Sequence, residues 1–156
     1  MKVTYAAFFS ENRNEEGEIT GYTVRVPDVH ECTGEGKTLL EAVLTTRELA
    51  IQIIQVDLKK GKPLPFESKP EELIPNEGET KSAVFLDIYH KTSIYRNQPL
   101  TRRQALSILI GTMIDLLQND HVELGKILMQ ETIDLMHERM ENGEEDIPIY
   151  YNYNYL

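Results

Sequence analysis

The stretch that decides the fold reads Gly21-Tyr22-Thr23-Val24-Arg25-Val26-Pro27-Asp28, then Cys32-Thr33-Gly34-Glu35-Gly36-Lys37, then Thr38-Leu39-Leu40-Glu41-Ala42. Tyr22, Val24 and Val26 alternate with Thr23 and Arg25, the period of a strand with one buried face. Pro27 stops that strand because it has no N–H for the ladder. Thr38 and Glu41 form a capping box, in which the hydroxyl takes the N–H three residues on and the carboxylate reaches back. The helix it opens runs to about Lys60, with Leu39, Val43, Ala50 and Ile53 or Ile54 at helical spacing. Lys59 and Lys60 suit the negative end of the helix dipole, and Gly61 suits a left-handed cap. Between strand and helix, Val29 to Gly36 is expected to hold a short third strand ending in a turn at Gly34-Glu35-Gly36.

Upstream, Val3, Tyr5, Ala7 and Phe9 alternate as a first strand, and Glu11 to Glu18 reads as the loop of a hairpin. Downstream, Pro63, Pro65, Pro70 and Pro75 mark an extended, acidic connection, and Ala83 to Tyr89 reads as a final strand. The order is β-β-β-α-β. If the last strand shares the sheet, the helix should carry a right-handed crossover to a strand parallel to its predecessor.

Beyond it the pattern turns helical. Thr101-Arg102-Arg103-Gln104 is a second capping box, opening a helix apolar on most sides: Leu106, Ile108, Leu109, Ile110, Met113, Ile114, Leu116 and Leu117. Asp120 with Glu123 offers a third, for a helix to about Met140. Gly111 and Gly125, poor helix formers, suggest close helix packing. The expected fold is α+β, a β-β-β-α-β domain over 1–90, a helical hairpin over 91–146 and a Tyr-rich tail over 147–156. A helix apolar all round must be buried by something. A second copy of the chain is the simplest answer, so a homo-oligomer is expected through Leu106, Leu109, Ile110, Met113 and Leu117.

The 156 residues and 18.0 kDa fit one domain, or one plus a helical appendage. One cysteine excludes a disulfide framework and a multi-Cys zinc module. No apolar run has transmembrane length, and Met1-Lys2-Val3 leads straight into strand-like sequence; the expected location is cytoplasmic, without a membrane partner. The net charge of −10 disfavours nucleic acid over most of the surface and favours a basic protein. It is uneven: residues 1–90 carry net −6, residues 91–103 net +4 and residues 104–156 net −8.

The run from Tyr22 to Ala42, with Tyr5 and Phe8 before it and Gly61-x-Pro63-x-Pro65 after it, resembles HicB antitoxins, the inhibitory halves of HicA–HicB toxin–antitoxin pairs. The resemblance covers roughly residues 1–90. It implies a partial RNase H-like β-β-β-α-β fold without a working nuclease site, capture of a small basic HicA-type ribonuclease, and usually a C-terminal element that binds operator DNA. From Tyr89 on, the chain does not look like the usual short family tail.

A nuclease of the RNase H type needs carboxylates converging on divalent ions. Asp28, Asp57 and Asp87 are the candidates, and nothing in their spacing brings them together. His30, His90, His121 and His137 lack metal-ligand spacing, and Cys32 reads as a small buried apolar residue. Gly36-Lys37-Thr38 lacks the first glycine of a phosphate loop, and Glu35 would repel phosphate. No catalytic residue, metal or cofactor is therefore expected. Glu15, Glu16, Glu18, Asp28, Glu31 and Glu35 are the expected toxin-binding acids. Lys91, Arg96, Arg102 and Arg103 are the expected DNA contacts, since a strand at 91–96 plus two helices has the ribbon-helix-helix order. Two functions compete: a toxin-neutralising antitoxin and autorepressor, and an oligomeric HicB-like module that captures another ligand without a toxin.

Overall fold

A computed structural model describes residues 2–80, 83–90 and 102–143. The proposed ribbon strand with Lys91 and Arg96, the Thr101 cap and the Tyr-rich tail lie outside the described residues, as do the side chains of Arg102, Arg103 and Leu106. The chain is α+β. Strands β1 (Lys2–Arg13), β2 (Ile19–Arg25) and β3 (Thr33–Gly36) precede helix α1 (Leu39–Lys59); β4 (Val84–His90), α2 (Arg102–Gln118) and α3 (Val122–Glu141) follow. The four strands form one sheet in the order β3-β2-β1-β4, with every neighbouring pair antiparallel.

Three expectations about the sheet need correction. The hairpin loop is short, because β1 continues to Arg13 and β2 starts at Ile19; Asn14 closes the tip by accepting the N–H groups of Glu16 and Glu18. The glycines Gly34 and Gly36 are strand rather than turn. A Cβ on Gly34 would come within 2.8 Å of the Thr46 backbone N, and one on Gly36 within 2.8 Å of the Glu41 carbonyl carbon. They are glycine because α1 lies directly on β3. Finally, β4 pairs antiparallel with β1 and so runs opposite to β3, not parallel to it. The reason lies in the connection after α1. The connection starts on the helix face, where Leu64 packs against the main core and the Pro65 carbonyl accepts from Tyr5. It then crosses to the opposite face, where Leu73 packs against Ala6, Phe8 and Ala83 before β4 begins.

The α1 cap is more elaborate than the capping box foresaw. Thr38 Oγ1 accepts the Glu41 N–H, while Glu41 reaches one residue further back, to the N–H of Lys37. The N–H groups of Leu39 and Leu40 donate to the carboxylate of Glu131 on α3, at 3.1 and 3.4 Å. A negative group there suits the positive end of the dipole. This one carboxylate ties the hairpin to the first helix. Burial, then Glu131 and Glu11, push the nearby Tyr22 hydroxyl above its ordinary pKa. Gly61 holds the left-handed position after α1 as expected, at φ +78°. The third capping box does not form: Asp120 adopts φ +61° and His121 N–H donates to Leu116 O, so Asp120 closes α2 in the place glycine usually takes.

One core joins both parts of the chain. Tyr5, Val24, Leu86 and Ile88 from the sheet, Leu39, Val43 and Ile54 from α1, Leu109, Met113 and Leu116 from α2, and Leu128 from α3 pack together. Arg47 of α1 is only 1% exposed and donates from Nε and Nη2 to the Ile88 carbonyl of β4. The helix α1 covers part of the sheet face, and α2 covers β4. The hairpin is thus buried in part by its own sheet. Leu109 and Met113, expected in an oligomer contact, are interior residues; Ile110 and Leu117 are exposed.

Candidate protein-binding surface

The second face of the sheet has a small apolar centre of Ala6, Phe8 and Ala83, closed by Leu73. The segment that closes it, residues 63–80, contains almost no regular structure beyond one 3-10 turn at Pro70–Glu72. Prolines at 63, 65, 70 and 75 keep it extended. Polar ties hold it down along its length. Tyr5 OH donates to the Pro65 carbonyl at 3.1 Å. Asp28 accepts both the N–H and the hydroxyl of Ser68, at 2.8 and 2.7 Å. Arg25 makes a two-pronged ion pair with Glu79 at 2.7 and 2.8 Å, with its guanidinium 5.0 Å from the centre of the Phe8 ring. Thr80 N–H donates to the Phe9 carbonyl at 2.8 Å. The Arg25 hydrogen bonds, helped by the Asn76 N–H, hold the Glu79 carboxyl below its ordinary range.

Two large apolar side chains on this tied-down strap face water. Phe66 is 81% exposed and Ile74 83%, more than any other large apolar residue described. The same segment, residues 63–80, exposes Glu67, Glu71, Glu72 and Glu77 against one cation, Lys69. A fixed backbone that carries bare apolar side chains is the element of a preorganised docking surface.

The six acids expected to bind a toxin are not one cluster. Glu15, Glu16 and Glu18 sit at the β1–β2 tip, and Asp28 and Glu31 at the β2–β3 turn. The seven residues of β2 between them span roughly 23 Å. Glu35 lies mid-way on the edge strand β3, opposite Thr23. Asp28 is occupied in bracing Ser68, and Glu31 holds a left-handed turn position at φ +54°. Sequence reading missed Phe66 and Ile74. The signal was present: apolar residues in a proline-punctuated segment have no helix or strand period through which to be buried.

Asp57 is also committed. His30 Nε2 lies 2.8 Å from Asp57 Oδ2 and Lys62 Nζ 3.0 Å from Oδ1, and these two partners, Lys62 first, hold the carboxyl below its usual range. Cys32 is buried beside the Thr46 carbonyl, and burial pushes its thiol up to about 12, which leaves no thiolate for chemistry at neutral pH. The Gly36-Lys37-Thr38 corner offers no open anion seat, since Glu131, Thr38 and Glu41 already occupy the amides. Among the described residues no group of three or more His, Cys, Asp or Glu is placed to hold a metal ion, and no helix is long and apolar enough to cross a membrane. No protein-family model matches the chain, and no curated protein shows significant similarity to it.

Proposed function

We propose that the protein is a non-enzymatic, HicB-like antitoxin that captures a small basic ribonuclease of the HicA kind and holds it away from RNA. The single observation that carries this reading is the strap. Phe66 and Ile74 stand bare on a backbone fixed by Tyr5, Asp28, Arg25 and Phe9, in a segment that also exposes Glu67, Glu71, Glu72 and Glu77. Exposed carboxylates speed the approach of a cationic RNA-binding surface, and desolvated apolar anchors supply most of the affinity. The β-β-β-α-β order of the first 90 residues supports the reading at the level of element order alone, since β4 is antiparallel to β1 in place of the expected crossover. Asp28 and Asp57 are engaged in structural ties, and the Asp87 side chain lies outside the described residues. The test is titration calorimetry with a small basic ribonuclease of the HicA kind, taken from the neighbouring reading frame where one is present, coupled to RNA cleavage. Submicromolar binding with loss of cleavage is expected. Absence of binding at micromolar concentration would overturn the reading.

Autorepression is the second half of the proposal. Arg102 and Arg103 open α2, where positive charge opposes the dipole unless an anion lies opposite. Each phosphate contact adds about −0.9 to the slope of log affinity against log salt. Arg102→Ala with Arg103→Ala should flatten that slope by roughly two units in operator shift assays at several salt concentrations. An unchanged slope removes these residues from any DNA contact.

A further inference from the structure

The hairpin has an inner face in the core and an outer face that, among the described residues, carries exposed apolar side chains. On α2 the exposed apolar residues are Ile110, Ile114 and Leu117; on α3 they are Val122, Met129 and Ile133, each between 38% and 50% exposed. Their spacing places each set on one helical stripe. The two stripes adjoin, because Leu117 lies against Gly125 of α3, so close that a Cβ there would come within 2.9 Å of it. The result is one apolar patch straddling the α2–α3 seam, on the side facing away from the sheet. Six such side chains leave bare about 500 Å² of apolar surface, at the upper end of what a monomer exposes.

We infer that this patch is closed by the same patch of a second copy, giving a two-fold dimer with a central four-helix layer. The α2 and α3 helices are 17 and 20 residues, about 25 and 30 Å. Two such faces brought together cover, with their rims, about 1,200 Å², the lower bound for a stable specific interface. Self-pairing of one apolar patch is what a two-fold contact requires. The rim argues against a lipid or nucleic-acid occupant. Among the described side chains of α3, the exposed acids Glu123, Asp134, Glu138 and Glu141 outnumber the exposed base Lys126. A lipid surface or a nucleic acid would call for the opposite sign. The strap changes sides along its length: Glu67 to Glu71 stand beside Asn119 at the α2–α3 corner, whereas Leu73, Ile74 and Glu79 lie on the sheet face that the helices do not cover. Pairing through the patch leaves Ile74 open on both far sides.

The experiment needs no partner protein and is therefore independent of the antitoxin reading. Light scattering on the full chain at 10–100 μM (on the order of the concentrations at which such interfaces are populated) is expected to give twice the 18.0 kDa chain mass. Because copies of net −10 repel, added salt should strengthen this dimer, whereas it would weaken a charge-driven contact. Ile114→Glu is expected to give a folded monomer, and Ile114→Ser serves if the charged variant loses its helical circular dichroism. Cysteine labelling locates the face, since buried Cys32 stays silent. Ile114→Cys should be protected from iodoacetamide at high protein concentration and react on dilution, while Ile74→Cys should react equally at both. A wild-type monomer throughout this range, a dimer that survives both Ile114 changes, or protection of Ile74→Cys would overturn the inference.

Discussion

The two faces of the sheet are closed by different physics. On the helix face, Tyr5, Val24, Leu86 and Ile88 meet α1, α2 and α3, and closure is apolar packing around fully buried side chains. On the strap face the apolar centre is small, and closure comes from Arg25–Glu79, Asp28–Ser68 and Thr80–Phe9. Packing draws large apolar residues inward. Polar ties can fix a backbone without burying what it carries, so Phe66 and Ile74 remain available. One face is closed by packing and the other by polar ties.

The largest effect should follow from breaking the helix face. Gly36→Ala drives a Cβ into the backbone of the first turns of α1, and Leu116→Ala opens a cavity at a fully buried site. Each should lower unfolding free energy by about 3 kcal/mol or more in urea titrations. An effect below about 1 kcal/mol would mean that α1 or α2 does not pack as described.

Breaking the strap face should matter less. Glu79→Gln removes one side of a two-pronged pair and should destabilise by about 1.5–3 kcal/mol. The pH dependence has a defined sign. Glu79 and Asp57 titrate below their unfolded values of 4.5 and 3.8, so the folded state binds fewer protons. Their contribution is complete at neutral pH and disappears as pH falls through the folded values. Melting temperature should therefore fall with acidification below about pH 4.5, and less steeply in Glu79→Gln.

A gain is expected at one point of the helix face. The amide nitrogen of Gln55 is buried without a partner among the described residues. Gln55→Met should stabilise by about 1 kcal/mol, since it removes a desolvated donor at similar volume. A loss would show that the amide is satisfied in solution.

The helix face was the more legible in sequence. Periodicity found β1, β2, α1 and β4, and Thr38 and Gly61 marked both ends of α1, because those signals depend on neighbours three or four residues away. The Gly34/Gly36 contact was misread as a turn because its cause, Thr46 and Glu41 on a packed helix, is not local. Asp120 was read as a helix start although its backbone closes α2. The inner and outer faces of the hairpin could not be separated, because a helix apolar on most sides does not announce which side meets its own sheet. Glu131 capping α1 from ninety residues away had no local signature. The strap was legible as extended and acidic, but its ties to Asp28 and Arg25 exist only in three dimensions.

The central claim is that the strap, not the divided acids of the two sheet ends, captures the basic partner. The direct test is calorimetry of Phe66→Ser with Ile74→Ser against a small basic ribonuclease of the HicA kind, beside urea unfolding of the same variant. Both side chains already face water, so stability should stay within about 0.5 kcal/mol of the parent. Affinity should fall at least about 100-fold, the scale of losing two anchors. Unchanged affinity in the double variant would contradict the account, most plainly if Glu15→Lys with Glu16→Lys then abolished binding.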